Sequence, residues 1–172
     1  MTMTTGVTVG AGMDVGRLHG EHYRSLLRLA SVLVDDVGTC EELVQDAFVA
    51  VLARHRAFSD DAKAPAYLRS AVLNGARTNL RRQRVRRRAR PLEVVGAARS
   101  AESDAVVAEE HRIVLAALRS LPERQREVLA LRYYLDLSEA EIADTLGIAA
   151  GTVKTHAQRG LAALHQLLED LK

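Results

Sequence analysis

Residues 138–164 read SEAEIADTLGIAAGTVKTHAQRGLAAL, and their spacing decides how the second half of the chain folds. Ser138 followed three residues later by Glu141 is a capping box. It opens a short helix carrying Ile142, Ala143 and Leu146. Gly147 then supplies the positive φ that ends a helix abruptly, and Ile148 is an apolar plug for the angle beyond it. A second helix places Val153, Ala157, Leu161, Leu164 and Leu168 at steps of four, four, three and four, the spacing of a core-facing stripe. Its opposite side presents Thr155, Gln158 and Arg159, with Lys154 beside them. Two helices joined in this way make a helix-turn-helix, whose second helix can enter a major groove. Arg159 suits a guanine edge or a phosphate, and Lys154 a phosphate. His156 falls on the flank, where a solvated histidine is as good a reading as a contact. A hairpin that merely packs would not need cap, turn, plug and basic outer face to agree. One position is weak: Ala149 and Ala150 stand where a Ser or Thr cap belongs, at a cost of about 1 kcal/mol unless Thr152 caps instead.

Upstream of this motif, Leu121-Pro122-Glu123 starts a helix with Val128, Leu129 and Tyr133, and Val107, Val114, Leu115 and Leu118 pattern as another. The first half is helical too. Leu18, Tyr23, Leu26, Leu27, Ala30 and Leu33 form one apolar stripe, which Asp35-Asp36-Val37-Gly38-Thr39 interrupts. Thr39, with Glu42 three residues on, is expected to cap the next helix, whose inward face is Leu43, Val44, Ala47, Phe48, Val51 and Leu52. A loop from Phe58 ends at Pro65, in the first turn of a third helix carrying Tyr67, Leu68, Ala71, Val72 and Ala76. That helix runs into Arg77, Arg81, Arg82, Arg84, Arg86, Arg87, Arg88 and Arg90, with Asn74 and Asn79 among them. Such density puts charge all around the last turns. A few arginines would be a solvated helix end, but eight call for a polyanion, for which the phosphate backbone is the natural partner.

The 172 residues are 48% hydrophobic and 27% charged, with two Phe, four Tyr and no Trp, a balance that favours helices over sheets. The net charge of +2 hides an asymmetry: 15 Lys/Arg against 9 Asp/Glu in residues 1–90, and 9 against 13 in residues 91–172. Cys40 is the only cysteine, so neither an internal disulfide nor a cysteine metal cage is available; it reads as a small residue near a helix start. His19, His22, His55, His111, His156 and His165 are scattered, and no phosphate loop, nucleophile set or metal cluster is recognisable. No enzyme activity, cofactor or metal is therefore expected. Residues 1–13 lack the basic start and apolar run of a signal peptide, and no stretch approaches a membrane span, which makes a cytoplasmic setting the expectation. The expected fold is all-α: a tail over 1–13, a helical domain over 14–90, a flexible linker over 91–107, and a second helical domain over 108–172 containing the helix-turn-helix.

Taken together, these segments resemble the extracytoplasmic-function (ECF) sigma factors of the sigma-70 family. LPERQREVLALRYYLDLSEAEIADTLGIAAGTVKTHAQRGLAAL is similar to their region 4. HYRSLLRLASVLVDDVGTCEELVQDAFVAVLARHRAF, followed by AYLRSAVLNGARTNLRR, is similar to their region 2. The resemblance implies a protein that binds core RNA polymerase, reads two promoter elements and promotes DNA opening. It implies that Glu42, Gln45, Asp46 and Phe48 lie in the segment docking on the β′ coiled coil, although spacing makes Phe48 structural. It implies −10 recognition by Tyr67, Asn74, Arg77, Asn79, Arg81 and Arg82, and −35 recognition by Thr152, Lys154, Thr155, Gln158 and Arg159, with region 4 on the β flap. Family members are often held by an anti-sigma protein, which the resemblance admits as a further partner. Tyr67 stands where Trp is common, Cys40-Glu41-Glu42 replaces Ala-Glu-Asp, and Gly160 replaces Ala, which is expected to loosen the last helix by up to ~1 kcal/mol. The acidic residues of the linker and just beyond it, Glu93, Glu102, Asp104, Glu109 and Glu110, read as solvated, or as mimics of nucleic acid.

A response-regulator-type transcription factor would carry a similar GTVKTH helix, but its receiver domain needs alternating βα units that the first half lacks. A non-specific compacting protein would explain the arginines and leave the helix-turn-helix unexplained.

Overall fold

The computed structural model describes residues 13–54, 61–89 and 105–170. The expected tail up to residue 12, residues 58–60 of the loop before Pro65, Arg90 and residues 91–104 of the linker lie outside them. Seven α-helices make up the described chain: α1 (Val15–Leu33), α2 (Val37–Arg54), α3 (Ala64–Ala89), α4 (Ala105–Ser120), α5 (Glu123–Tyr134), α6 (Glu139–Leu146) and α7 (Ala150–Glu169).

In the first half, Asp14 caps α1 by accepting the Arg17 amide at 3.0 Å. The cap of α2 differs from the expected one. Asp36, not Thr39, closes the helix start: its Oδ2 accepts both the amide and the hydroxyl of Thr39, each at 2.7 Å. A carboxylate is a stronger acceptor than a hydroxyl, so Thr39 becomes the donor and the helix begins earlier. Those two bonds hold the Asp36 carboxyl below its usual range, the side-chain bond first. The core is built from Leu26, Ala30 and Leu33 of α1, Leu43, Val44, Ala47 and Val51 of α2, and Leu68, Val72, Leu73 and Ala76 of α3. Helices α2 and α3 approach closely where Gly75 faces Leu43; a Cβ at Gly75 would stand 2.7 Å from a Leu43 methyl.

In the second half the capping box forms as the spacing predicts, with Ser138 and Glu141 exchanging bonds, and Gly147 takes φ 65° at the end of α6. Ala149 is the N-cap of α7 and offers no side-chain bond. Thr152 lies inside the helix, its amide 2.9 Å from the Ala149 carbonyl, so it does not replace the missing cap. The inward stripe of α7 differs from the expected one at one position. Val153, Ala157 and Gly160 are buried, whereas Leu161 is exposed. Gly160 has a packing reason: an added Cβ would lie 3.1–3.3 Å from Leu129 and Gln125 of α5, so the absence of a side chain lets α7 close on α5.

The halves do not stand apart. Helix α1 packs against α2 and α3 on one side and against α4 and α5 on the other. This explains why Leu29 and Val32, outside the expected stripe, are wholly buried.

Candidate nucleic-acid interface

Helix α7 carries the clearest candidate. Val153, Ala157 and Gly160 are buried, Gly160 against Leu129 and Gln125 of α5, and Thr152, Lys154, Thr155, Gln158 and Arg159 are all exposed. The Thr155 hydroxyl donates back to the Gly151 carbonyl at 3.0 Å. His156 is half-buried at the flank, and its Nδ1 is buried with no hydrogen-bond partner. The outer face thus offers one guanidinium, one ammonium, an amide and two hydroxyls within two turns, the mixture that base edges and phosphates accept.

The long helix α3 carries the second set. Its last turns, from Arg81 to Arg88, are exposed apart from a half-buried Gln83, whose amide donates to Asn79 at 2.9 Å. Tyr67 is half-buried near the start of α3, with the Arg54 guanidinium 5.6 Å above its ring. Arg77 is drawn to the other half of the molecule. Its Nε and Nη2 donate to the two oxygens of Glu127 at 2.6 and 2.9 Å, and its Nη1 donates to Asn74 at 3.0 Å. The Glu127 bonds hold the guanidinium above even its usual range. Asn74, Arg81 and Arg82 are exposed. The structure therefore does not gather the six expected residues into one open surface.

On α2, Glu42, Gln45 and Asp46 share an exposed polar face with Val49, which is 62% exposed. Phe48 lies on the inward side of α2, where its spacing places it. It is 6% exposed and its ring lies 5.0 Å from that of His19, so its apolar bulk belongs to the core. Cys40 is also buried, its thiol 3.8 Å from the Val34 carbonyl, and burial pushes its pKa up to about 11.

Two buried charged residues were not anticipated, Arg126 and Glu127, at 6% and 1% exposure. Glu127 is held by Arg77 and, at 3.0 Å, by Arg124; Arg126 donates to the Arg119 carbonyl at 2.9 Å. The only local signal is an Arg-Glu pair directly before the apolar run Val128–Leu131. Among the described residues no three His, Cys, Asp or Glu stand together as a metal site, and no helix is long and apolar enough to cross a membrane.

Comparison with known proteins agrees with this layout. The family profile described as sigma-70 region 2 matches residues 18–86, and that of sigma-70 region 4 matches residues 111–164. The chain is 35% identical to the RNA polymerase sigma-E factor of Streptomyces coelicolor, over 84% of this chain and 80% of that protein. It is 30% identical to the ECF RNA polymerase sigma factor SigL of Mycobacterium tuberculosis, over 99% and 98%. Among solved structures, CnrH in complex with the cytosolic domain of CnrY superposes with a TM-score of 0.71 at 25% identity, over 91% of this chain and 88% of that one. RpoE of Bartonella quintana, bound to the anti-sigma factor NepR, shares the fold at a TM-score of 0.68 and 24% identity, over 89% and 97%. A region 2 match across the first half, and the absence of strands among the described residues, leave no place for a receiver domain. An exposed reading helix behind a capped turn, an arginine-rich helix before it, and both regions matched in order make this chain a member of the sigma-70 family, in its ECF group of RNA polymerase sigma factors.

Proposed function

We propose that this sigma factor works through three surfaces. The α2 face of Glu42, Gln45 and Asp46 docks on the basic coiled coil of the polymerase β′ subunit, where carboxylates meet arginines. The α3 helix, with Tyr67, Asn74, Arg77, Asn79, Arg81 and Arg82, holds the −10 strand as it opens. The α7 face of Thr152, Lys154, Thr155, Gln158 and Arg159 reads the −35 element, while the second half sits on the β flap. Polymerase tethers both readers, so each can be weak alone. Strand opening then draws on binding energy and calls for no cofactor or covalent step. The chain acts in the cytoplasm, where polymerase is.

One observation carries this reading: all five α7 side chains are exposed on one side of a helix whose other side is buried on α5. CnrH is solved in complex with the cytosolic domain of CnrY and RpoE of Bartonella quintana with the anti-sigma factor NepR, and an anti-sigma protein for this chain is proposed on those likenesses. The test is transcription in vitro by purified bacterial core polymerase on a promoter library. Specific initiation only in the presence of the chain is expected, and Glu42→Lys with Asp46→Lys should abolish it. Initiation indifferent to the chain sinks the proposal.

A further inference from the structure

A pocket of about 240 Å³ opens beside the start of α3, away from the three surfaces assigned above. Helices α1 and α3 line it with His22, Leu26, Arg28 and Arg69, and the end of α5 and the turn beyond it add Tyr134 and Asp136. None of these residues belongs to the polymerase or promoter sets.

Two guanidiniums lack a counter-charge there. Among the described residues, neither Arg28 nor Arg69 forms an ion pair. The Nε of Arg69 is buried and has no hydrogen-bond partner. Burial pushes the pKa of that guanidinium down, and the charge of Glu141 opposes the shift only in part. A buried cationic donor left unpaired is costly, and an anion in the pocket would remove that cost. Tyr134 is half-buried, and burial raises its pKa, so at neutral pH its phenol keeps a proton to donate. The Ser25 hydroxyl is already committed to the His22 carbonyl at 2.8 Å. Asp136 is the one carboxylate of the lining, and it is exposed. Its backbone takes φ 52°, and the next amide, that of Leu137, donates to the Leu131 carbonyl at 3.2 Å, so the main chain sets this rim. Two guanidiniums against one exposed carboxylate leave the pocket cationic.

Size and wall narrow the ligand. The space lies below the roughly 300–1,000 Å³ of drug-sized sites. Leu26, Pro65, Leu135 and Leu137 give it an apolar side, which a bare ion would leave uncovered. A pair of guanidiniums matches the nearly double charge of a phosphate monoester, whereas a carboxylate or a DNA diester brings a single charge.

We propose that this pocket binds a small phosphate monoester with an apolar body, its phosphate held by Arg28 and Arg69 and its far side met by Tyr134. The ligand touches both halves, so it stabilises the folded chain by mass action. The site shares no residue with the promoter sets and is independent of them.

Phenyl phosphate is the probe, titrated into the full chain by calorimetry at constant ionic strength in potassium chloride. Inorganic phosphate and benzoate are run beside it. Phenyl phosphate should bind about tenfold more tightly than either and raise the melting temperature. Amide shifts in NMR spectra should gather at Ser25 and Leu137, one in each half. Arg69→Gln should weaken binding by about tenfold. Should that variant fail to fold by circular dichroism, Arg28→Gln removes the other guanidinium from an exposed position and should cost as much. Arg87→Gln with Arg88→Gln, in the exposed run of α3, should change nothing. No binding of phenyl phosphate at millimolar concentration overturns the site. So does binding that survives the loss of Arg28 or Arg69 but not that of Arg87 and Arg88, which would place the anion on the arginine run. Benzoate or inorganic phosphate binding as tightly as phenyl phosphate overturns the ligand class.

Discussion

The two helices assigned to DNA meet solvent in different ways. Helix α7 is seated on α5 by small buried residues, and its whole polar face points outward. Helix α3 ends in exposed arginines, yet Arg77 is clasped by a carboxylate from the other half. One proposed reader presents its polar face openly, and the other has a guanidinium tied to the opposite half. The difference lies in their backing. Helix α7 has its own three-helix support in the second half, whereas α3 lies along the seam where the halves meet, touching α6 as well as α1 and α2.

The seat of α7 is the most sensitive point of this contrast. Gly160→Val would push branched carbons into Leu129 and Gln125, where a single Cβ already has only 3.1–3.3 Å. Overpacking of this kind costs about 1–3 kcal/mol. We expect a lower melting temperature and loss of −35-dependent transcription. A variant as stable and as active as the parent would mean that α7 is not fixed by its contact with α5. On the exposed side, Arg159→Ala should cost about 1–3 kcal/mol at one −35 base pair, read as altered promoter preference across a library. Uniform loss on all promoters would make Arg159 a phosphate contact.

The second half was more legible in the sequence than the first, for a physical reason. Its determinants are local: Ser138 and Glu141 cap within one turn, and Gly147 must supply a positive φ where it stands. The first-half cap misled because both Asp36 and Thr39 can cap, and only geometry shows which accepts. Leu161 misled because a step of four and a step of three are both helical neighbours. Gly160, read as a flaw, is the position that makes the step of three the buried one. The Arg77–Glu127 pair was illegible altogether. Its members are 50 residues apart, and no spacing rule predicts contact between halves expected to move independently. That is why Glu127 was missed, and why Leu29 and Val32 are buried outside the expected stripe.

Cys40 offers a probe of burial at the start of α2. Burial raises its thiol from the ordinary 9.0 to about 11. Below pH 9 both folded and unfolded chains keep the proton. Between 9 and 11 the unfolded chain releases it and the folded chain does not, so stability falls as pH rises through that window. The loss should be on the order of 1–2 kcal/mol by pH 11. Chemical denaturation in steps from pH 8 to 11 measures it. Cys40→Ala should flatten the slope; a slope unchanged in that variant would assign the loss to other groups, among them Tyr134, which burial also shifts upward.

The smallest effect sharpens the comparison from the side of α7. Ala149 already has the extended backbone of an N-cap, with φ −69° and ψ 146°, but no side-chain oxygen to accept an amide of the first turn of α7. Ala149→Ser supplies that acceptor without moving the backbone, and should add about 0.5–1 kcal/mol of stability. The gain should appear in the melting of the full chain and leave strand binding by α3 unchanged, because the added bond lies wholly within the second half. If the serine also altered binding of single-stranded DNA, the start of α7 would have to be coupled to the seam. The two helices would then be one mechanical unit, and the contrast between an open face on α7 and a clasped guanidinium on α3 would not hold.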